Sequence, residues 1–291
     1  MNMLVCEGIT KKYKDKLVLD QVDLTIEEGK IYGLVGRNGA GKTTLLSILT
    51  AQNPANAGRV TLNDMPVWEN RQALEHLCFS RELNTMNLLG PNAMKVKEYF
   101  FIASCYYPNW DQKMAKELIQ LFGLNVKKRI SKLSKGMLSM VTIIIALASK
   151  ADITILDEPV AGLDVVARED FYRLIIDENC KTGRTFIIST HIIEEASNML
   201  EEVIFLNHGK IICKENTQDL LERAVQVTGK AEDVDGATEG IRLHHVENIG
   251  RSKAATILLE PGQSLKDGYD ITIQPVSLQN LFVALCGREA S

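Results

Sequence analysis

Nine residues, GRNGAGKTT at 36–44, fit the pattern G-x-x-x-x-G-K-[ST] through Gly36, Gly41, Lys42 and Thr43. That spacing suits a polyphosphate. The backbone amides of a loop containing Asn38, Gly39 and Ala40 converge on the anion, helped by the start of the helix that follows. Lys42 pairs with the β- and γ-phosphates, Thr43 offers a hydroxyl to Mg2+, and Thr44 continues into the helix.

A second segment supplies acid. ITILDEP, 153–159, is an apolar strand that ends in Asp157 and Glu158. Two carboxylates at slightly different depths suit two tasks: Asp157 holds the Mg2+ shell and Glu158 polarises an attacking water. A third apolar strand, TFIISTH, carries His191 to the same edge, where it can hold a γ-phosphate or the water in line. The chemistry is phosphoryl transfer to water.

These groups need a frame, and the chain reads as an α/β layer. MLVCEGI, VDLTIEEG and KIYGLVG are short strands, followed by the glycine loop and a helix, TTLLSILTAQ. From about 88 to 145 helical patterns take over, KVKEYFFIASCYY and MAKELIQLFGL among them, so a helical subdomain is inserted there. Within it, LSKGM (133–137) opens an apolar helix with Ser134 as N-cap and Lys135 beside it. After ITILDEP the alternation resumes with helix VVAREDFYRLIIDENC, strand RTFIIST, helix IIEEASNML and strand EEVIFLNHGK.

Past residue 217 the composition shifts. GKAEDVDGATEG (229–240) reads as an acidic, glycine-containing loop, AATILLE and DITIQP as strands, and SLQNLFVALCG as a helix capped by Ser277 and stopped at Gly287. Residues 1–217 are therefore expected to form one domain and 218–291 a small α+β accessory domain.

A net charge of −4 and no basic block longer than KKR (127–129) leave nucleic acid without an electrostatic footprint to bind. Apolar runs stay far below the roughly 18 residues that a membrane span needs, and the N-terminus lacks a signal layout, so a cytoplasmic chain is expected. Six scattered cysteines without a C-x-x-C pair read as reduced packing residues.

The order Tyr13, GRNGAGKTT, LSKGM, ITILDEP, AGLD (161–164) and STH (189–191) resembles the nucleotide-binding subunits of ABC transporters over residues 1–217. Within that family it is most similar to bacterial exporter ATPases of the bacitracin-resistance and antimicrobial-peptide type, through YYPNWD (106–111), LSKGM and the short tail helix.

The resemblance implies a P-loop NTPase core of RecA-like type, with an antiparallel β subdomain, the inserted helical subdomain and the α+β extension. It implies ATP and Mg2+ as cofactors and adenine stacked on Tyr13. Ser134, Lys135, Gly136 and Met137 become a signature that meets the γ-phosphate held by a second cassette, identical or different. Asp164 becomes the D-loop aspartate and His191 the switch histidine. A separate transmembrane permease docks beside residues 82–107, so the chain sits peripherally on the inner face of the cell membrane, and hydrolysis powers export of a peptide or drug.

Two segments depart from the family pattern. Lys135 and Met137 stand where the signature has Gly and Gln, which brings a cation toward ATP. Glu82 stands nearest the place of the Q-loop glutamine, where a carboxylate is expected to reach Mg2+ or water. Two further readings share this site: a soluble ABC-type ATPase acting on nucleic acid or ribosomes, and a regulatory subunit with a weak site. One cassette, no sustained heptads and an acidic balance speak against the first, and intact Lys42, Asp157, Glu158 and His191 against the second.

Overall fold

The computed structural model describes residues 3–83 and 94–287. The chain divides into two compact units, Met1–His191 with Ile204–Cys213, and Ile192–Val203 with Lys214–Ser291. The first unit carries β1 (Met3–Tyr13), β2 (Lys16–Glu27), β3 (Ile31–Val35), α1 (Lys42–Leu49), β4 (Ala57–Leu62), β5 (Met65–Pro66), α2 (Arg71–Leu74) and β6 (Leu77–Ser80). It continues with α3 (Val96–Tyr106), α4 (Gln112–Leu121), α5 (Lys135–Ala148), β7 (Ile153–Asp157), α6 (Val165–Thr182) and β8 (Thr185–Thr190).

β1 and β2 are longer than their apolar cores suggest, because the two strands pair along their whole length, Met3 opposite Glu27 and Tyr13 opposite Lys16. With β4 and β5 they form an antiparallel sheet in the order β2-β1-β4-β5. One face is apolar: Leu4, Cys6, Ile9, Leu24 and Ile26 all join the core.

The second sheet positions the site. Its order is β10-β9-β3-β8-β7-β6, where β9 is Glu202–Asn207 and β10 is Lys210–Asn216, the strands that follow the short helix α7 (Ile193–Ser197). β3, β7 and β8 are buried at every residue, as parallel strands covered on both faces must be. Register sets their ends level. Val35 lies opposite Thr190, Asp157 opposite Ser189, and Leu156 opposite Ser80. The residues that follow each strand, Gly36, His191, Glu158 and Arg81, therefore leave the sheet at one carboxyl edge, where open α/β sheets take ligands.

At the opposite end of α5 and β8 the chain is tied by Arg184. Its guanidinium, 5% exposed, donates to the Leu147 and Ala146 carbonyls at 2.9 and 3.0 Å and to Glu178 Oε1 at 3.0 Å. The last carbonyls of α5 thus find donors, as buried helix ends require.

The expected helical insertion of 88–145 is present as α3, α4 and α5 in its described part, and residues 88–93 lie outside the described residues. The second unit holds α7 and then α8 (Thr217–Arg223), β11 (Ala224–Lys230), α9 (Ala231–Ala237), β12 (Leu243–Ile249), β13 (Ser252–Leu258), β14 (Ile271–Pro275) and α10 (Leu278–Cys286). Its antiparallel sheet runs β12-β13-β11-β14. Ser277 caps α10 by accepting from Asn280 N at 3.2 Å, as its sequence indicates.

One expectation is corrected here. The acidic stretch 229–240 is not a loop throughout, because α9 occupies its centre. Val234 and Ala237, three apart, are buried, and Val234 joins a small core with Val227, Ala255 and Ile257. Gly236 does not break the helix. It makes room, since a Cβ there would stand 2.2 Å from the Tyr269 ring.

Candidate nucleotide-binding site

The phosphate loop takes its shape from close approaches that only glycine permits. Gly41 has φ +111°, and a Cβ there would meet Leu19 Cδ2 at 2.9 Å. A Cβ on Gly36 would strike the Leu206 carbonyl at 2.6 Å. The loop closes through Ala40 N donating to Arg37 O at 3.0 Å, and Gly39 continues it with φ +81°. Lys42 is only 7% exposed and its ammonium donates to Gly36 O at 2.7 Å, so the side chain folds back over its own loop. Asn38, Thr43 and Thr44 share the same cleft.

Across the cleft, β7 delivers the acids. Asp157 Oδ2 accepts from Thr43 Oγ1 at 2.7 Å, joining α1 to β7. Its other oxygen accepts from Ser189 Oγ. Glu158 follows with φ +52°, a conformation that costs a non-glycine residue roughly 1 kcal/mol or more and is held here by Glu158 N donating to Ser189 O at 3.1 Å. That turn points the carboxylate back at the loop. Its Oε1 lies 3.9 Å from Lys42 Nζ, and its Oε2 lies 2.6 Å from His191 Nδ1.

The structure therefore brings Lys42, Thr43, Asp157, Glu158 and His191 together. The cleft beside them measures about 480 Å3 and is also lined by Tyr13, Lys16, Val18 and Arg37. Tyr13, 47% exposed, has the Lys11 ammonium 5.0 Å from its ring centroid. Sequence reasoning missed Ser189, which fixes both carboxylate residues. Its signal was available, two positions before His191 on a buried strand.

LSKGM forms a separate cluster. Ser134 caps α5 by accepting from Met137 N at 3.3 Å. Gly136 presses on the 158–164 loop so tightly that a Cβ would stand 2.4 Å from Gly162 O. Ser139 Oγ donates to Ala161 O at 2.7 Å, and Asp164 caps α6 through Ala167 N at 2.9 Å. Neither Ser134 nor Asp164 lines the cleft within the same chain.

Glu82 also stands apart from the expected metal ligands. It is not among the residues lining the cleft, and its Oε1 lies 3.4 Å from Lys135 Nζ. The cation expected near ATP is thus paired with the carboxylate expected near Mg2+.

A parallel sheet whose edge bears a glycine phosphate loop and a buried lysine defines a P-loop nucleoside-triphosphate-binding protein. The family model described as ABC transporter matches residues 19–161. The putative ABC transporter ATP-binding protein AlbC of Bacillus subtilis is 33% identical, over 72% of this chain and 90% of that protein. The ABC transporter ATP-binding protein YtrB of Bacillus subtilis is 25% identical over 98% of each. Among solved structures, the ATP-binding subunit of an ABC transporter superposes with TM-score 0.65 at 22% identity, covering 76% of this chain and 92% of the other. A dimeric post-hydrolysis cassette bound to ADP and phosphate superposes with TM-score 0.63 at 23% identity, covering 74% and 98%. The chain belongs to the ATP-binding proteins of ABC transporters, and it is an ATPase coupled to transport. No helix among the described residues is long and apolar enough to cross a membrane.

Proposed function

We propose that this chain powers a separate transmembrane permease that exports a peptide or drug, and that it completes its catalytic site against a second cassette. The observation that carries this reading is the separation within one chain of the phosphate cleft from the capped start of α5. Ser134 accepts from Met137 N, so its hydroxyl hydrogen is the group left to reach a phosphate, and the Gly136 amide lies in the same helix turn. A facing cassette brings the two halves together.

Thr43 and Asp157, a hydroxyl and a carboxylate already 2.7 Å apart, are hard oxygen donors of the kind that fits Mg2+. When bound there, the ion neutralises charge on the β- and γ-phosphates. Lys42 holds the same oxygens. Glu158 accepts a hydrogen bond from the attacking water, His191 orients the Glu158 carboxylate, and Tyr13 presents a ring face to adenine. Water oxygen bonds to the γ-phosphorus, the bond to the β–γ bridging oxygen breaks, and the water proton passes toward Glu158.

ATP drives closure only by binding the closed pair more tightly than the open halves. A surface suited to the permease is a groove of this chain of about 360 Å3, lined by Phe79, Leu83, Tyr99, Ile102, Tyr106 and Ile145; Phe101, 68% exposed, lies on the same helix as Tyr99, Ile102 and Tyr106. Exposed aromatics at this density favour a protein partner. The chain would then be held at the inner face of the membrane through that permease alone. The export assignment draws support from relatives such as the Nod factor export ATP-binding protein I of Burkholderia lata, 28% identical over 97% of this chain.

Purifying the chain from its native membrane tests the reading. An integral membrane protein should co-purify, and Phe101→Glu with Tyr106→Glu should release it. A chain that comes alone from every detergent condition, with ATPase activity intact and Ser134 dispensable, would overturn it.

A further inference from the structure

Lys135 occupies the first helical position of α5, the positive end of the helix dipole, where a cation is unfavourable. The first turn of α5 contains no acidic residue to offset it. Relief comes from another segment. Glu82, two residues past the end of β6, sets its Oε1 3.4 Å from Lys135 Nζ.

The segment that carries Glu82 runs along α5. Ser80 Oγ donates to the Thr142 carbonyl at 3.1 Å, and Thr142 and Lys135 lie seven residues, about two turns, apart on one helix face. On the other side, the Lys135 stem covers Gly162, where a Cβ would stand 2.9 Å from Lys135 Cγ. Lys135, in the first turn of α5, therefore touches both Glu82 and the 158–164 loop.

From this we infer that Glu82 is a positioning residue rather than a metal ligand. Its carboxylate neutralises Lys135 in cis and fixes the start of α5 against the Gly162 loop, so that Ser134 and the Gly136 amide are presented without an unpaired cation between them. The two departures from the family pattern compensate each other. The consequence for ATP rests on the trans reading proposed above, but the contact between Glu82 and Lys135 does not.

Amide hydrogen exchange on the full-length chain tests the pair. An exposed ion pair is worth a few-fold in an equilibrium constant, so Glu82→Gln should speed exchange at Gly136–Ser139 about two- to fivefold. In a Lys135→Gln background the same substitution should change nothing. Raising NaCl from about 0.05 to about 0.5 M should speed exchange in the unmodified chain and not in Glu82→Gln, because screening shortens from well over 10 Å to a few Å. Equal effects of Glu82→Gln in both backgrounds, or none in either, would overturn the inference. So would a several-fold higher Mg2+ concentration required for ATP binding in Glu82→Gln with exchange unchanged, as loss of a metal ligand would give.

A second measurement addresses the nucleotide. In a Glu158→Gln chain, Glu82→Gln should steepen the salt dependence of ATP-driven association, and adding Lys135→Gln should return it. If Glu158→Gln does not associate at any salt, the trans reading fails, and the exchange cycle still decides the pair.

Discussion

The imidazole Nδ1 of His191 and the carboxylate Oε2 of Glu158 meet at 2.6 Å, although they are 33 residues apart and end different strands. The contact exists because β7 and β8 pair in parallel with Asp157 opposite Ser189, so that Glu158 leaves β7 within one residue of the level at which His191 leaves β8. His191 thus bonds one oxygen of Glu158 while Lys42 faces the other at 3.9 Å, which fixes the orientation of the carboxylate.

Removing the base should therefore separate binding from turnover. Glu158→Gln is expected to lower steady-state ATP hydrolysis by about 10²- to 10⁴-fold while ATP affinity by calorimetry is retained. His191→Ala should lower turnover by reorienting Glu158, read as a fall in kcat with ATP affinity retained. Turnover near the original level in either variant would count against these roles.

Lys42 presents the opposite case. Its ammonium is nearly buried against the loop, and a charge-assisted hydrogen bond to phosphate is worth about 1.5–3 kcal/mol. Lys42→Ala should weaken ATP binding about 10- to 100-fold, read by fluorescent-nucleotide titration.

The contact between Gly136 and Gly162 leaves no space for a methyl group. Gly136→Ala would put a Cβ 2.4 Å from Gly162 O, backbone against backbone, so the 158–164 loop must shift. Overpacking of this kind costs about 1–3 kcal/mol. A lowered Tm by calorimetry and a loss of ATP turnover should accompany each other; an unchanged Tm would show that the loop yields freely.

Cysteine reactivity should divide by burial. Cys6, Cys78 and Cys286 are buried, and Cys105 and Cys180 are exposed. Burial pushes the Cys6 thiol up to about 12 and raises Cys78 as well. Iodoacetamide at neutral pH should label Cys105 and Cys180 first, and Cys6 and Cys78 only on unfolding, as mass spectrometry of timed samples can read.

His244 gives the second unit a pH dependence of known sign. Burial, with Arg242 nearby, holds its imidazole below the ordinary 6.5. The unfolded chain then binds the proton more readily than the folded one, so stability is full above about 6.5 and declines as pH falls through that value. His244→Gln should flatten the fall in Tm between about pH 7 and 5.5. A steeper fall in the variant would reverse the assignment.

Legibility followed the range of the interactions. Gly36, Gly41, Lys42 and Thr43 are readable because a phosphate loop is built from neighbours in sequence, whose glycines answer local steric demands. Asp157 and Glu158 are readable as the end of a buried strand. Ser277 as the cap of α10 and Ser134 as the cap of α5 are likewise local. The stretch 229–240 misleads because its acidic residues and glycine suggest a loop, whereas Val234 and Ala237 have a sheet to pack against only once β11 and β13 exist.

The sequence by itself determined the reaction class, since the spacing of a phosphate loop and the residue types at strand ends are fixed by covalent neighbours. Tertiary structure alone decided which groups meet. Ser189 reaches both carboxylate residues, His191 finds Glu158, and Glu82 finds Lys135, because strand register and helix packing bring together side chains that no local pattern connects.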